Sequence, residues 1–384
     1  MSIDLVKEDS KYDVAITGGG LAGLAQAILL ARAGYRIILF EKEKFPFHRV
    51  CGEYISLESW DFLVRLGVDL PSLQLPIIKK LEVTTINGKC MKQPLPLGGF
   101  GISRYLLDSI LADIAKQAGV TLMENTRVDS IEFNGAEFII STPGKIFNAS
   151  IACGSYGKRS NLDIKWKRPF TIASKNKLNN YIGVKYHVRG NFPGDTIALH
   201  TFQNGYCGIG KIENDKYNLC YLTTASNLKK SNGSILQMEE SILYKNPFLK
   251  EIFSSAEKCP GEPVTISQIS FDKKTSVENH VLMAGDAAGM ITPLCGNGMS
   301  MALYGAKLAV ENIDLFLRGK ISRKRMEEQY ARQWQSQFSR RLLMGRRIQR
   351  LSGNPLLMNL FISAGNSFTP FTQWLIGQTH GKPF

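Results

Sequence analysis

Residues 12–41 read YDVAITGGGLAGLAQAILLARAGYRIILFE. Tyr12–Thr17 is a short apolar run, the pattern of a buried strand. Gly18, Gly19 and Gly20 break it. Leu21–Ala33 is rich in leucine and alanine and has the composition of a helix. Arg36–Phe40 reads as the next strand. Strand, glycine turn, helix and strand make a βαβ opening, which predicts a parallel sheet. Within it, Gly18, Gly20 and Gly23 stand at GxGxxG spacing. Gly18 permits the tight turn, Gly20 lets a pyrophosphate approach the backbone, and Gly23 lets the helix pack close to the strand. Leu21 and Ala22 open a helix whose unpaired N–H groups face the phosphates. Glu41 closes the second strand 18 residues after Gly23, where a carboxylate accepts hydrogen bonds from a ribose. Lys42 beside it joins the expected contacts. The pattern predicts a dinucleotide site but does not by itself separate FAD from NAD.

A second glycine-rich site lies some 260 residues further on. His280–Ala284 (HVLMA) reads as a buried strand running into Gly285-Asp286-Ala287-Ala288-Gly289. Pro293, Gly296 and Gly298 follow, and Asn297–Leu317 reads as a long helix. The Asp286 carboxylate there suits sugar or ribityl hydroxyls, and the glycines let a flavin ring or phosphate come close. The alternative is an aspartate capping an ordinary helix. Two glycine sites serving opposite ends of one cofactor favour the first reading.

The rest of the chain sets bounds. It has 384 residues, 44% hydrophobic and 21% charged, a globular composition with room for two or three units. No stretch of about 18 uncharged apolar residues exists, which excludes a membrane-spanning helix. Met1–Lys11 lacks the apolar centre of a secretory signal. The seven cysteines approach no closer than thirteen residues, so no CxxC metal or redox motif is present and no metal is expected. A reduced, cytoplasmic compartment follows. Net charge is +14, and Arg318–Arg350 alone carries eleven lysines and arginines against Glu327 and Glu328. Such a segment suits solvent or an anionic membrane surface. Nucleic acid is not expected, because no fold signal for it appears.

GGGLAG at 18–23, Glu41, FPFHRVCGE at 45–53, Arg104 and GDAAG…PLCGNG at 285–298 together resemble flavoproteins of the para-hydroxybenzoate hydroxylase fold. The nearest branch resembles the geranylgeranyl-reductase-like oxidoreductases, with flavin-dependent halogenases and monooxygenases as relatives. The resemblance covers residues 10–320. It implies FAD, with Gly18, Gly20 and Gly23 at the pyrophosphate and Glu41 at the adenosine ribose. Arg49 and Arg104 would contact phosphate or ribose, and Asp286, with Gly285, the ribityl or pyrophosphate region. Pro293, Gly296 and Gly298 would lie beside the flavin ring. The Cys51-Gly52 pair would sit next to it too, with Cys51 as a catalytic thiol that tunes the flavin or donates a proton. Tyr206 is the second catalytic candidate.

Departures from the related families narrow the reaction. Hydroxylases of this fold carry an Asp-Gly in a GADGxxS segment. Here Gly154-Ser155-Tyr156-Gly157-Lys158-Arg159-Ser160 puts Tyr156 in place of that aspartate. No second GxGxxG offers a stable nicotinamide site, so NAD(P)H is expected only as a transient electron donor. The halogenases' WxWxIP segment has no counterpart, because Gly205–Gly210 contains no tryptophan.

The implied fold is mixed α/β and α+β. A discontinuous Rossmann-like FAD-binding domain (1–75, 101–160 and 276–318) carries an inserted β-sheet substrate domain (76–100 and 161–275) and a helical C-terminal segment (319–384). Val184, Tyr186 and Val188 alternate with polar residues, and the strands at 197–202, 206–212 and 217–222 are expected to pair in sequence, antiparallel to one another. Phe202, Tyr206, Cys207 and Tyr221 are pocket-wall candidates. The expected reaction is C=C reduction or dehydrogenation of an apolar lipid, isoprenoid or polyketide-like substrate by hydride transfer. A monooxygenase is the alternative; a halogenase or a non-catalytic flavin carrier ranks lower. Expected partners are that small molecule and an electron-donor protein, with peripheral contact at the inner face of a membrane through the basic C-terminal helix.

Overall fold

In the computed structural model, the chain opens as the βαβ pattern requires, with β1 (Val6–Thr17), α1 (Leu21–Arg32) and β2 (Ile37–Phe40). The structure describes residues 6–172, 179–261, 263–352 and 355–367, together with 370, 372, 377–378 and 381–384. β3 (Tyr54–Ser56), α2 (Trp60–Arg65), β4 (Ile77–Thr84), β5 (Cys90–Gly101) and α3 (Arg104–Gln117) follow. Then come β6 (Thr121–Met123), β7 (Ser130–Phe133), β8 (Phe138–Thr142), β9 (Lys145–Gly154), α4 (Asn161–Lys165) and α5 (Pro169–Ile172). The central stretch holds β10 (Asn179–Arg189), β11 (Thr196–Phe202), β12 (Gly205–Lys211) and β13 (Tyr217–Thr224). After these lie α6 (Ala225–Lys230), α7 (Ile235–Ile242), α8 (Pro247–Ser255), β14 (Glu257–Lys258) and β15 (Val264–Ser270). β16 (Val277–Glu278), β17 (Val281–Met283), α9 (Gly298–Leu317), α10 (Arg323–Ser352) and α11 (Pro355–Ser367) complete the chain.

Two sheets result. The first runs β16-β17-β9-β1-β2-β6, with β7 and β8 attached through β9. β1 pairs in parallel with both β2 and β9, and β17 pairs in parallel with β9. The C-terminal ends of β1 and β17, where the two glycine sites begin, therefore lie on one edge of one sheet. That is where ligands bind in open parallel sheets. α1 is wedged among α3, α9 and this sheet, so Leu24, Ala25, Ile28 and Leu30 are all fully buried. Each such leucine or isoleucine contributes about 1.5–3 kcal/mol by leaving water.

The second sheet runs β14-β10-β13-β12-β11-β4-β5-β3, with β15 on β10. β11, β12 and β13 form the expected meander. β10 joins this meander at β13, while the other edge of β11 pairs in parallel with β4. After β17, Gly285–Ala287 is a single 3-10 turn, and the long helix expected at Asn297–Leu317 is α9, with Asn297 as its N-cap. Phe45–Ser56, which shows no helical or strand periodicity, ends in β3, which joins the second sheet through β5. Among the described residues no helix is long and apolar enough to cross a membrane.

Candidate functional site

A cavity of about 1440 Å³ is lined by residues of both sheets. Small-ligand pockets run about 300–1,000 Å³, so this one has room for a dinucleotide and a substrate together. Every expected cofactor contact except Gly23 lines it. The first group is Gly18, Gly20, Leu21, Ala22, Glu41 and Lys42; Arg49, Cys51, Gly52 and Arg104 form the second. Gly285, Asp286, Pro293, Gly296 and Gly298 form the third, and Tyr206 lies further along. The spacing of motifs hundreds of residues apart thus converges on one space.

The glycines explain themselves sterically. A Cβ at Gly23 would stand 2.0 Å from the Gly18 carbonyl oxygen, so Gly23 works by close packing and not by facing the ligand. Gly18 has φ +105°, and a Cβ there would meet the Ser155 carbonyl at 2.5 Å. A Cβ at Gly20 would find open space, its nearest neighbour being the Arg104 guanidinium at 3.7 Å. Gly20 also caps α1 without a side-chain bond, and the first turn holds no acid. The N–H groups at this helix end are therefore left for an anion in the cavity.

Behind the glycines lies a charge cluster. Glu41 accepts from the Gly19 N–H at 2.9 Å and the Glu43 N–H at 3.1 Å, and pairs with Arg49 Nη2 at 2.9 Å. A carboxylate offers about four acceptor positions, which leaves capacity for a ribose hydroxyl. Arg49 Nε also donates to Asp108 at 3.0 Å. Arg104 donates twice to the same carboxylate, at 2.7 Å from Nε and 2.7 Å from Nη2. Asp108 is fully buried and orients both guanidiniums. Lys42 is placed differently, at the mouth, 68% exposed and 3.6 Å from Glu43.

Glu53 anchors the neighbouring loop from a left-handed backbone, φ 52°. It is buried, accepts from the Arg104 N–H at 2.9 Å and from His187 Nε2 at 2.7 Å, and pairs with Lys185. Burial pushes its carboxyl up, but His187 and Lys185 outweigh that and hold it below the usual range. His48 stacks on Tyr105, ring centroids 4.6 Å apart, and meets His187 edge-on. Burial, with Lys185 and His187 nearby, lowers its pKa.

Cys51 sits in this loop with its sulfur 3.7 Å from that of Met299. Burial pushes the thiol up, so it stays protonated at neutral pH. Tyr206 is buried at the far end of the cavity, and burial holds its hydroxyl well above the ordinary value. Both groups are thus proton holders and not anions. Of the other wall candidates, Tyr221 reaches the cavity, while its hydroxyl donates to buried Glu239 at 2.8 Å. Phe202 and Cys207 do not. They pack into the core between the sheet and α7–α8, because alternate residues of a strand face opposite sides.

The second glycine site carries its own supports. Lys274 Nζ donates to the carbonyls of Lys158 at 2.6 Å and Asp286 at 2.8 Å. Burial lowers Lys274 and Lys158 to about 8 and raises the Asp286 carboxyl. Tyr156, the replacement for the hydroxylases' aspartate, turns away from this role. Its hydroxyl donates to Asp163 at 2.7 Å, and buried Arg168 bridges Asp163 and the Ala287 carbonyl.

Sequence reading missed Asp108, Glu53 and Lys185. The signal for Asp108 was present, an acid one helical turn after Arg104 on the buried face of α3. Lys185 stands between Val184 and Tyr186, where strand alternation predicts an outward side chain, yet it is 2% exposed. β10 is covered on both faces, so alternation carried no information there.

The FAD binding domain family matches residues 11–141. The cradle just described is that domain's nucleotide end. Residues 11–141 are an FAD binding domain, and the chain spans 63% of the length of the first curated relative it matches. The residues of the cradle fit the cofactor: open N–H groups at α1, a wall that only glycine permits, and paired cations beside both. The chain is 26% identical over 333 residues to conditioned medium factor receptor 1 of Dictyostelium discoideum, covering 79% of this chain and 63% of that protein. It is 20% identical over 329 residues to menaquinone reductase of Mycobacterium tuberculosis, covering 80% and 77%. Among solved structures it superposes on a geranylgeranyl bacteriochlorophyll reductase-like protein of Thermoplasma acidophilum with a TM-score of 0.77, 15% identity and coverage of 99% and 97%. A triple mutant of the flavin-dependent brominase Bmp2 gives a TM-score of 0.76 at 20% identity, covering 96% and 95%. These likenesses establish the fold, which is shared by enzymes of different chemistry.

Proposed function

We propose that the chain is an FAD-dependent oxidoreductase that reduces a carbon–carbon double bond, or forms one by dehydrogenation, in an elongated apolar molecule of lipid, isoprenoid or polyketide-like type. The observation that carries this reading is the far arm of the cavity. Beyond Tyr206 its wall is made by Met91, Leu95, Leu199, Met290, Leu294 and Met358. Such a wall suits a flexible apolar chain, since methionine adapts to irregular shapes. The names of the mycobacterial relative, a menaquinone reductase, and of the Thermoplasma protein, geranylgeranyl bacteriochlorophyll reductase-like, agree with it.

Bound FAD supplies hydride transfer. The chain's own residues bind, orient and move the proton. Arg49 and Arg104, held by Asp108, fix the anionic part of the cofactor. Glu53 holds the Cys51 loop against α3. Reduction of a double bond needs one proton for each hydride, and the protonated Cys51 thiol and Tyr206 hydroxyl are the donors in the cavity wall. An electron-donor protein or transient NAD(P)H would supply the reducing equivalents.

The test is anaerobic. FAD-loaded protein is reduced chemically, mixed with a polyprenyl quinone or a polyunsaturated isoprenoid, and followed at the flavin band. Return of oxidised flavin without oxygen, faster with the apolar acceptor than without it, is the expected result. Absence of anaerobic oxidation, with product carrying oxygen or halogen formed only in air, overturns the reading in favour of a monooxygenase or halogenase.

A further inference from the structure

We infer that the outward side of α11, with the C-terminal half of α10, docks on an anionic bilayer and opens the apolar arm of the cavity towards it. The inference rests on the lipid-like substrate proposed above. α11 (Pro355–Ser367) contains no charged residue. Its inner side is buried, with Met358 and Ile362 packed on Val83 and Met91. Its outer side is also apolar. Leu360 is 67% exposed, the highest value among the exposed large hydrophobics of the described residues, and Leu357 and Ala364 are exposed on the same face. The polar Ser363 and Asn366 are engaged by Lys89 Nζ and the Cys90 carbonyl, so the face that carries Leu357, Leu360 and Ala364 is an apolar stripe left at the surface, as at a membrane.

α10 supplies the charge. Leu343 is 46% exposed, and Arg347 and Arg350 are exposed on its face one and two turns later, with Arg340 close by. No acid occurs on α10 after Glu328. Leucines set among arginines on a helix surface match the acyl boundary and headgroups of anionic lipid. They disfavour a second copy of the same chain, because two cationic faces repel.

The cavity meets this face. Met344, Arg347 and Ile348 of α10 and Met358 of α11 line it, and Arg347 is at the same time exposed. The apolar arm therefore reaches the surface beside the exposed leucines. An apolar substrate can pass from the bilayer into that arm without crossing water.

The experiment uses the full FAD-loaded chain and sedimentation with vesicles of phosphatidylcholine alone or mixed with phosphatidylglycerol. The chain should pellet with the anionic vesicles, and high salt should weaken this. Leu343→Glu/Leu360→Glu should lower partitioning about tenfold or more, with flavin absorbance, circular dichroism and the reaction with a water-soluble quinone unchanged. Arg340→Gln/Arg350→Gln, which leaves the leucines in place, should lower it in the same direction and serves if the first variant does not fold. Failure of the wild type to bind, or equal binding by both variants, overturns the inference. So does a wild-type dimer in light scattering that Leu343→Glu/Leu360→Glu dissolves. If the wild type binds vesicles but no acceptor reoxidises its flavin anaerobically, the proposed function fails and the docking surface stands.

Discussion

Asp108→Asn isolates the charge that organises the cofactor cradle. The amide keeps the shape of the carboxylate but only one acceptor. Asp108 now receives Arg49 Nε at 3.0 Å and Arg104 Nε and Nη2 at 2.7 Å each. In the variant an amide N–H must face one of these N–H donors. Two charge-assisted bonds are lost or inverted, each about 1.5–3 kcal/mol. The guanidiniums keep some solvent, with 26% and 12% of their side-chain surfaces exposed, which discounts the sum. A net loss of about 2–4 kcal/mol remains. Unfolding entropy near 2.1 cal/mol/K per residue gives about 0.8 kcal/mol/K for a chain of this size, so Tm should fall by about 3–5 °C. FAD affinity should fall about ten- to a hundredfold, because both arginines lose their aim at the phosphate. Scanning fluorimetry of the apoprotein and a flavin-fluorescence titration read the two effects separately. An unchanged Tm together with an unchanged Kd for FAD would refute the reasoning.

The remaining predictions concern other parts of the site. Gly23→Ala should yield protein purified without yellow colour, since its Cβ would enter the Gly18 carbonyl; stoichiometric flavin in the purified variant would contradict this. Cys51→Ala should retain FAD but slow acceptor reduction about ten- to a hundredfold, with a smaller loss at low pH where solvent supplies the proton; stopped-flow rates across pH check it. Lys274 has a folded pKa of about 8 against an ordinary value of 10.5, so between those pH values the unfolded chain binds more protons. Stability of the apoprotein should therefore rise with pH through that window. Lys158, lowered for the same reason, contributes in the same direction, and Lys274→Met should leave only its share of the slope in denaturant titrations at pH 8 and 10.

Much of the fold was readable because its decisive signals are local. The Gly18–Gly23 turn, the closing Glu41 and the strand entering Gly285 each carry their meaning within about thirty residues. What sequence reading missed depends on distant partners. β5 was overlooked because Pro94 and Pro96 argue against a strand. The sheet tolerates them because β3 covers only Gly99–Gly101, which leaves the edge alongside both prolines unpaired. β15 was missed because it is mostly exposed and lacks a clean apolar alternation. Glu53 closes the FPFHRVCGE run, where nothing adjacent in sequence shows what it pairs with. Its partners Lys185 and His187 lie more than 130 residues away, and only the pairing of β10 within the second sheet brings them to it. Cys51 and Arg104, by contrast, were found because they stand in motifs that resemble those of the related flavoproteins, although their partners Met299 and Glu53 are distant in sequence.

The central claim is that this cavity joins a flavin cradle to an apolar reaction chamber. A single turnover with oxygen excluded tests it most directly. Chemically reduced, FAD-loaded protein is mixed with a polyprenyl substrate, and the product is analysed by mass spectrometry in light and heavy water. The account predicts a product that has gained two hydrogens across one double bond, both deuterium in heavy water because chemical reduction also draws the flavin's hydrogen from solvent, with formation slowed in Cys51→Ala. A substrate recovered unchanged without oxygen, and altered only when air is admitted, would contradict it.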